Sequence, residues 1–499
     1  MVRSPALLRP GALPGPGLIG AAALALALVP LPAAAQDIAP VGDPLDIAIA
    51  TGPLLPEEVL RSSALTFPAI LEAFEREAAT RSDQLAADGA FDLMLRADAF
   101  DRLTGFNDGG AVRAQAIQPL QPFGAQIFGG YTISNGRLPT SQSGFTTPDF
   151  GRVNVGALFS LLRDRNIDPR RFALEDTRLA TSQAQLDVML VQLNVQQEAL
   201  RAYWRWVAAG EEIRVFEELL EIAEARQIGL TREVGEGARA RIALTENEQN
   251  LLRRRTLLEQ ARRDLQIAAN SLGFFLRDSR GQMFVPTREQ LPDLASLKAI
   301  PPIETMLAVP ISDVVQNRPE LATFRLALER AANRVELRRN DLQPRLDASV
   351  ELSSGVGTAG SPTGDLAGAA VGVTFSVPLQ RREARGRLQR AEAELRETEL
   401  RQRRTADLIT TEVGNILASL SAALRVAELA DAEVQQATTM VQAERTRFRL
   451  GAGDFFLVNL REEAAANAQV SAIRADLAGR LAEASYNAAT MNLQALGLE

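Results

Sequence analysis

The stretch Arg232-Glu233-Val234-Gly235-Glu236-Gly237 breaks a long run rich in Arg, Glu and Ala. Arg447-Phe448-Arg449-Leu450-Gly451-Ala452-Gly453 breaks a second such run, with Gly451 lying 216 residues beyond Gly235. Each break reads as the tip of a helical hairpin, because a helical reversal needs residues that tolerate positive φ. On the near side of the first break, Leu186, Leu190, Leu193, Leu200, Trp204 and Val207 recur at heptad spacings. The helical signal begins near Pro169, so some 60 residues at about 1.5 Å each predict a rod on the order of 90 Å. On the far side, Leu244, Leu251, Leu258, Leu265 and Leu272 recur at a strict interval of seven, the seam of a returning antiparallel helix.

The second break has the same surroundings. Ile409, Val413, Ile416 and Leu420 precede it, and Val470, Ile473, Leu477, Leu481, Ala484, Ala488 and Met491 follow it. Ahead of each long hairpin the hydrophobic period changes from helical to alternating. In the first half, Phe91 to Ala99, Phe123 to Ile133 and Val153 to Phe159 carry apolar residues at every second position, with loops at Thr104 to Gly110 and through the 140s. In the second half, Leu346 to Leu352 and Val371 to Val377 do the same around a Gly/Ser/Thr loop, and Pro378 stops the second run. A helix with a kink at Pro68 is expected over 56–88, and another over 311–342. The order helix, strands, long helix, tip, long helix therefore occurs twice. The first repeat spans 56–272, a Pro-rich linker 273–310, and the second repeat 311–499.

The chain begins with Arg3 and Arg9, an apolar run from Leu18 to Leu31, and Ala33-Ala34-Ala35 before Gln36. That order reads as a secretory signal peptide over 1–35, followed by an N-terminal segment 36–55. Its removal leaves 52 basic against 62 acidic residues, a balance that argues against nucleic acid as partner. With no cysteine and no histidine, the chain offers neither disulfides nor a thiol nucleophile, and it lacks the commonest general base and transition-metal ligands. An enzyme is disfavoured on that ground, and no cofactor is expected. Carboxylate pairs such as Glu211-Glu212 and Glu462-Glu463 read as solvated helix surface. No run of about 18 consecutive apolar residues follows the leader, so any entry into a membrane is as a barrel.

Alternating strands of nine to eleven residues, apolar on one side and polar on the other, fit a transmembrane barrel, although a half-buried soluble sheet shares that pattern. The helices cannot cover such a sheet, because their apolar stripes are used pairwise. Four or five strands per chain cannot close a barrel of eight or more, so the barrel must be shared, and three copies at four strands each give twelve.

Several motifs, taken in order, resemble the TolC family of outer-membrane efflux channels over almost the whole chain after the leader. They are Asn317-Arg318-Pro319-Glu320-Leu321 opening the second-half helix, VGVTFSVPL over Val371 to Leu379 with its counterpart Leu161-Leu162-Arg163-Asp164, and the two tip sequences. The resemblance implies a mainly α fold with a small β part: duplicated coiled-coil hairpins plus about four strands in a shared trimeric outer-membrane barrel. It implies a homotrimer embedded in outer-membrane lipid, a helical tunnel across the periplasm, and a periplasmic adaptor that couples the tunnel to an inner-membrane pump or ABC transporter. The adaptor-binding role would fall on Val234, Gly235 and Glu236 and on Leu450, Gly451 and Ala452.

The chain departs from the family where an acidic constriction follows the second tip, because Leu457 and Leu460 stand there and Arg241 occupies the matching first-half position. Phe455, Phe456 and Leu457 are read either as an apolar gate, with an Arg241 to Asp454 pair, or as packing within the hairpin. The rival to a channel is a soluble periplasmic coiled-coil adaptor or spacer. Drug, metal-ion and protein export all fit the tunnel, although the absence of His weakly disfavours soft metals.

Overall fold

The computed structural model describes residues 52–102, 109–136, 147, 150–278, 281–293, 297, 299–356 and 367–498. The expected signal peptide and most of segment 36–55 lie outside the described residues, as do most of the loops expected near 104–110, in the 140s and at 355–368.

Two short helices, α1 (Pro56–Thr66) and α2 (Pro68–Asp88), meet at Phe67 in extended conformation. Pro68 therefore starts a new helix instead of kinking one, as suits a residue with no N–H to lose at the first helical position. The second repeat does the same. The helix expected over 311–342 is two helices, α6 (Ile311–Asn317) and α7 (Pro319–Asn340), broken at Arg318. A proline excludes its predecessor from the α region, and Arg318 sits at ψ 131°.

The long helices are α3 (Pro169–Gly235, 67 residues) and α8 (Arg382–Arg449, 68 residues). They are answered by α4 (Ile242–Gly273) and α9 (Phe455–Ala489). Asp168 starts α3 by accepting from the amides of Arg170 (2.8 Å) and Arg171 (3.1 Å). Leu251, Leu258, Leu265 and Leu272 of α4 are all buried, three of them in one cluster with Tyr203, Trp206, Val207 and Ile213 of α3. That is the seam the interval of seven foretold. By length and composition one stretch of α8 is apolar enough to cross a membrane, which the sequence reading did not anticipate. On α8, Ile409 and Val413 pack with Val314 of α6, and Leu420 with Met306 and Tyr486.

The linker runs over this bundle, and its described residues carry one short α-helix, α5 (Ile303–Leu307). Leu291 lies so close over Gly210 that an added Cβ there would meet its side chain at 2.5 Å, and Tyr486 donates to the Met306 carbonyl at 2.9 Å.

Six strands form one antiparallel sheet in chain order: β1 (Met94–Arg102), β2 (Gly109–Pro119), β3 (Gln126–Gly136), β4 (Arg152–Ser160), β5 (Arg345–Gly355) and β6 (Ala367–Ser376). The count of about four per chain is thus too low. The strand not foreseen is β2, and Phe91 and Phe123, read as strand starts, lie in the 3-10 turns 89–91 and 122–124. Phe123 takes φ 58° within the second of these. The duplicated unit is two short helices, two strands and a long hairpin, with β3 and β4 matching β5 and β6. The β1–β2 hairpin, inserted between α2 and β3, has no second-half counterpart between α7 and β5.

Candidate functional site

The two hairpin tips are built alike, down to individual hydrogen bonds. At the first, the Gly237 amide donates to the Val234 carbonyl (3.1 Å) and the Ala238 amide to Glu233 (2.8 Å). At the second, Gly451 donates to Phe448 (3.0 Å) and Ala452 to Arg447 (2.9 Å). Each is a Schellman closure, which requires a left-handed residue just past the helix. Gly237 (φ 75°) and Gly451 (φ 73°) supply it.

Gly235, to which the sequence reading gave this duty, is the last residue of α3 and has no positive φ. The equivalent of Leu450-Gly451-Ala452 is therefore Glu236-Gly237-Ala238, two residues beyond the expected frame. Val234 is half-buried, whereas Gly235, Glu236, Gly451, Ala452 and Leu450, at 79% exposure, stand in solvent.

Below the tips the two hairpins are joined. Phe455 is buried with Leu230, Ala243, Leu244 and Phe448, which assigns it to packing between the hairpins. Arg226 lies over the Phe455 ring and Arg239 over Phe448, at 5.5 and 4.9 Å from the ring centres. Arg241 and Asp454 do not pair among the described ion pairs. Arg241 is the exposed residue before α4, while the Asp454 carboxylate accepts from the Phe456 amide at 3.3 Å, a cap that turns it toward its own helix. Phe456 is exposed and Leu457 half-buried.

The reading of Glu462 as solvated surface is overturned. Its side chain is 1% exposed and receives Arg226, Arg254 (3.1 Å) and Arg445 (2.9 Å). Arg254, itself 5% exposed, also donates to the Leu219 carbonyl at 2.7 Å, and Arg226 donates to Asn459 at 2.7 Å. Burial pushes the Glu462 carboxyl up, but the hydrogen bonds and charges of Arg226 and then Arg254 outweigh it and hold the pKa below its ordinary value. One carboxylate on α9 thus ties together α3, α4 and α8.

The sequence held a signal for this. Arg254 stands three residues after Leu251 and four before Leu258, and Glu462 four after Val458. Both are seam positions, where a charge needs a buried partner. Glu211 is also largely buried, which raises its pKa despite Arg214, and Glu212 pairs with Arg474 at 2.8 Å.

At the other end, strand register places Leu95, Val112, Ile133, Val155, Leu352 and Val371 on one face of the sheet, together with Tyr131, Val153, Val350, Val373 and Phe375. All are exposed, Val371 at 77%. The opposite face carries Arg96, Asp98, Arg113, Thr132, Asn154, Asp347 and Glu351, with Asn154 donating to Glu351 (3.2 Å) and Ser160 to Asp347 (3.1 Å). A soluble sheet would cover eleven large apolar side chains.

Residues 311–496 match the model of the outer membrane efflux protein family. Over that stretch, its second repeat, the chain is similar to outer membrane efflux proteins.

No curated protein matches the sequence. Solved channels match it in fold. The outer-membrane channel OprN has 16% identity and a TM-score of 0.64, over 89% of this chain and 90% of that one. VceC of Vibrio cholerae has 16% identity and a TM-score of 0.61, over 89% and 97%. CmeC of Campylobacter jejuni has 13% identity and a TM-score of 0.62, over 89% of each. OprN, VceC and CmeC are outer-membrane proteins. A bare apolar face on one side and an Arg/Asp/Thr face on the other is the pattern of a membrane-barrel wall, lipid outside and water inside.

Proposed function

We propose that three copies of this chain close a common barrel in the outer membrane and continue it as a tunnel across the periplasm. Solutes enter it from an inner-membrane pump or ABC transporter through a periplasmic adaptor docked at the hairpin tips. The observation that carries this reading is the pair of matching, solvent-facing Schellman turns. They lie at the ends of two helices of 67 and 68 residues whose other ends leave the sheet, about 100 Å away at 1.5 Å per residue. Trimers that work with adaptors and inner-membrane pumps are the rule in the family.

The docking residues are Val234, Gly235 and Glu236, extended to Gly237 and Ala238, and Leu450, Gly451 and Ala452. The two tips differ in chemistry, Glu236 standing where the second has Leu450, so each meets a different part of the adaptor. The periplasmic constriction falls to exposed Phe456 and half-buried Leu457 in the first turn of α9.

The test is the double variant Glu236→Arg/Leu450→Arg. Both side chains are exposed, so the protein should reach the outer membrane in normal amount and oligomeric state. Cells carrying it should accumulate dyes, antibiotics or metal ions that the parent strain expels. Normal efflux of every such compound in the variant would remove the tips from the docking role.

A further inference from the structure

We propose that each chain contributes six strands, not four, to the barrel, and that the seam between neighbouring copies is formed by the free edge of β6 against the free edge of β1, giving eighteen strands in all. The count of eighteen rests on the trimer proposed above; the seam does not.

The sheet decides where a neighbour can attach. A wall built from the duplicated strands alone, β3 to β6, would join the next copy through the outer edge of β3. That edge is taken: all eleven residues from Gln126 to Gly136 pair with Pro119 to Gly109 of β2. Among the described residues the remaining edges are those of β1 and β6. Unpaired backbone groups in lipid cost several kcal/mol each, so both must be covered. Six strands in one chain fall short of the minimum of eight for a membrane barrel, so β1 and β6 cannot close on each other within a chain. Two copies of nine- and ten-residue edges, however, suit one another. In a meander with an even number of strands the first and last run in opposite directions, so β6 meets the next β1 antiparallel and the barrel stays antiparallel throughout.

The inserted hairpin also has the faces of a wall strand. Leu95 and Val112 continue the bare apolar surface, and Arg96, Asp98, Arg113 and Gln115 continue the wet one. Barrel diameter grows roughly in proportion to strand number, so eighteen strands widen the outer-membrane exit about 1.5-fold over twelve, into the range where a barrel holds an aqueous channel. The solute class that gains is a hydrated one too bulky for the narrower wall.

Because the chain has no cysteine, engineered pairs give a clean test in the full-length protein in its membrane. Ala97→Cys is combined in turn with Ala369→Cys, Val371→Cys and Val373→Cys, which scans the register on the lipid face. Tyr131→Cys is combined with the same three. The expected result is oxidation-dependent bands at two and three times the monomer mass in at least one Ala97 series member and none with Tyr131. Chemical crosslinking of the reduced samples reports that each variant has assembled. Bands with Tyr131 alone, or none in either series from assembled protein, would overturn the proposal. A ladder in the Ala97 series that stops at the dimer would keep the β6–β1 seam but refute the trimer, leaving twelve strands from two chains.

Discussion

Replacing Glu462 with Gln keeps the shape of the side chain and removes the charge that three guanidinium groups share. The partners are unequally placed. Arg445 is 41% exposed and can turn to water, so its loss costs little. Arg254 is buried, keeps one bond to the Leu219 carbonyl, and is left as an uncompensated cation between α4 and α9. Arg226 keeps Asn459 and the Phe455 ring. Removing one partner of a buried pair costs about 3–5 kcal/mol. At 1.36 kcal/mol per decade that is roughly a 10²·²- to 10³·⁷-fold rise in local opening.

Hydrogen exchange reads it directly. In Glu462→Gln the amides of Val458 to Ala466 and of Leu251 to Leu258 should exchange faster by that factor, with the α3–α4 seam around Leu265 unchanged. Glu463→Gln serves as control, since Glu463 pairs with an exposed Arg253 and should matter by less than about 1 kcal/mol. Exchange in Glu462→Gln within threefold of the parent would refute the argument that this carboxylate holds the hairpins together. The pH dependence has a fixed sign. The folded pKa of Glu462 is depressed, so its contribution is complete above the unfolded value of 4.5 and is lost as pH falls below it toward the folded value. The joint should therefore be insensitive to pH from 7 down to about 4.5.

Gly237→Ala and Gly451→Ala place a Cβ at positive φ and should each cost about 1–2 kcal/mol, whereas Gly235→Ala, in helical conformation with open space, should be neutral or stabilising by up to about 1 kcal/mol; thermal melts rank the three, and an equal loss at Gly235 would restore the frame read from the sequence. Val371→Arg should destabilise the assembled barrel by about 2–4 kcal/mol if it sits near the bilayer midplane, while Thr374→Arg on the opposite face should leave the heat resistance of the oligomer intact; the reverse order would mean the faces are misassigned. Burial pushes the Glu483 carboxyl up, with Arg480 opposing and Asp476 reinforcing. Its raised folded pKa makes the parent lose stability as pH rises from 4.5 through that value, so Glu483→Gln should melt higher than the parent at pH 7 and equally at pH 4.

The leucines at 251, 258, 265 and 272 made the hairpin legible because a buried seam leaves a period that no other structure shares. The strand β2 was not legible for the opposite reason. Gly109, Gly110, Arg113, Gln115 and Gln118 dilute its alternation, and only pairing on both sides reveals the apolar face through Val112, Ala114 and Ala116. At the first tip two glycines stand two apart, and composition cannot say which takes the left-handed turn. The bonds from Gly237 and Ala238 decide it. Glu462 was misread because charge in a helix was equated with exposure, although its spacing from Val458 placed it on the seam.

The uncovered apolar face has a consequence for the life of the chain before it works. On the shared barrel proposed above, a protomer waiting for its neighbours would carry, through an aqueous compartment, a sheet whose lipid side is bare and whose two edges are open templates for any passing strand. Its safety then depends on how quickly partners arrive, a rate that falls steeply with dilution. Yield is accordingly a matter of supply and escort: low expression or a missing periplasmic chaperone should produce aggregates of a chain whose helices are already correctly folded.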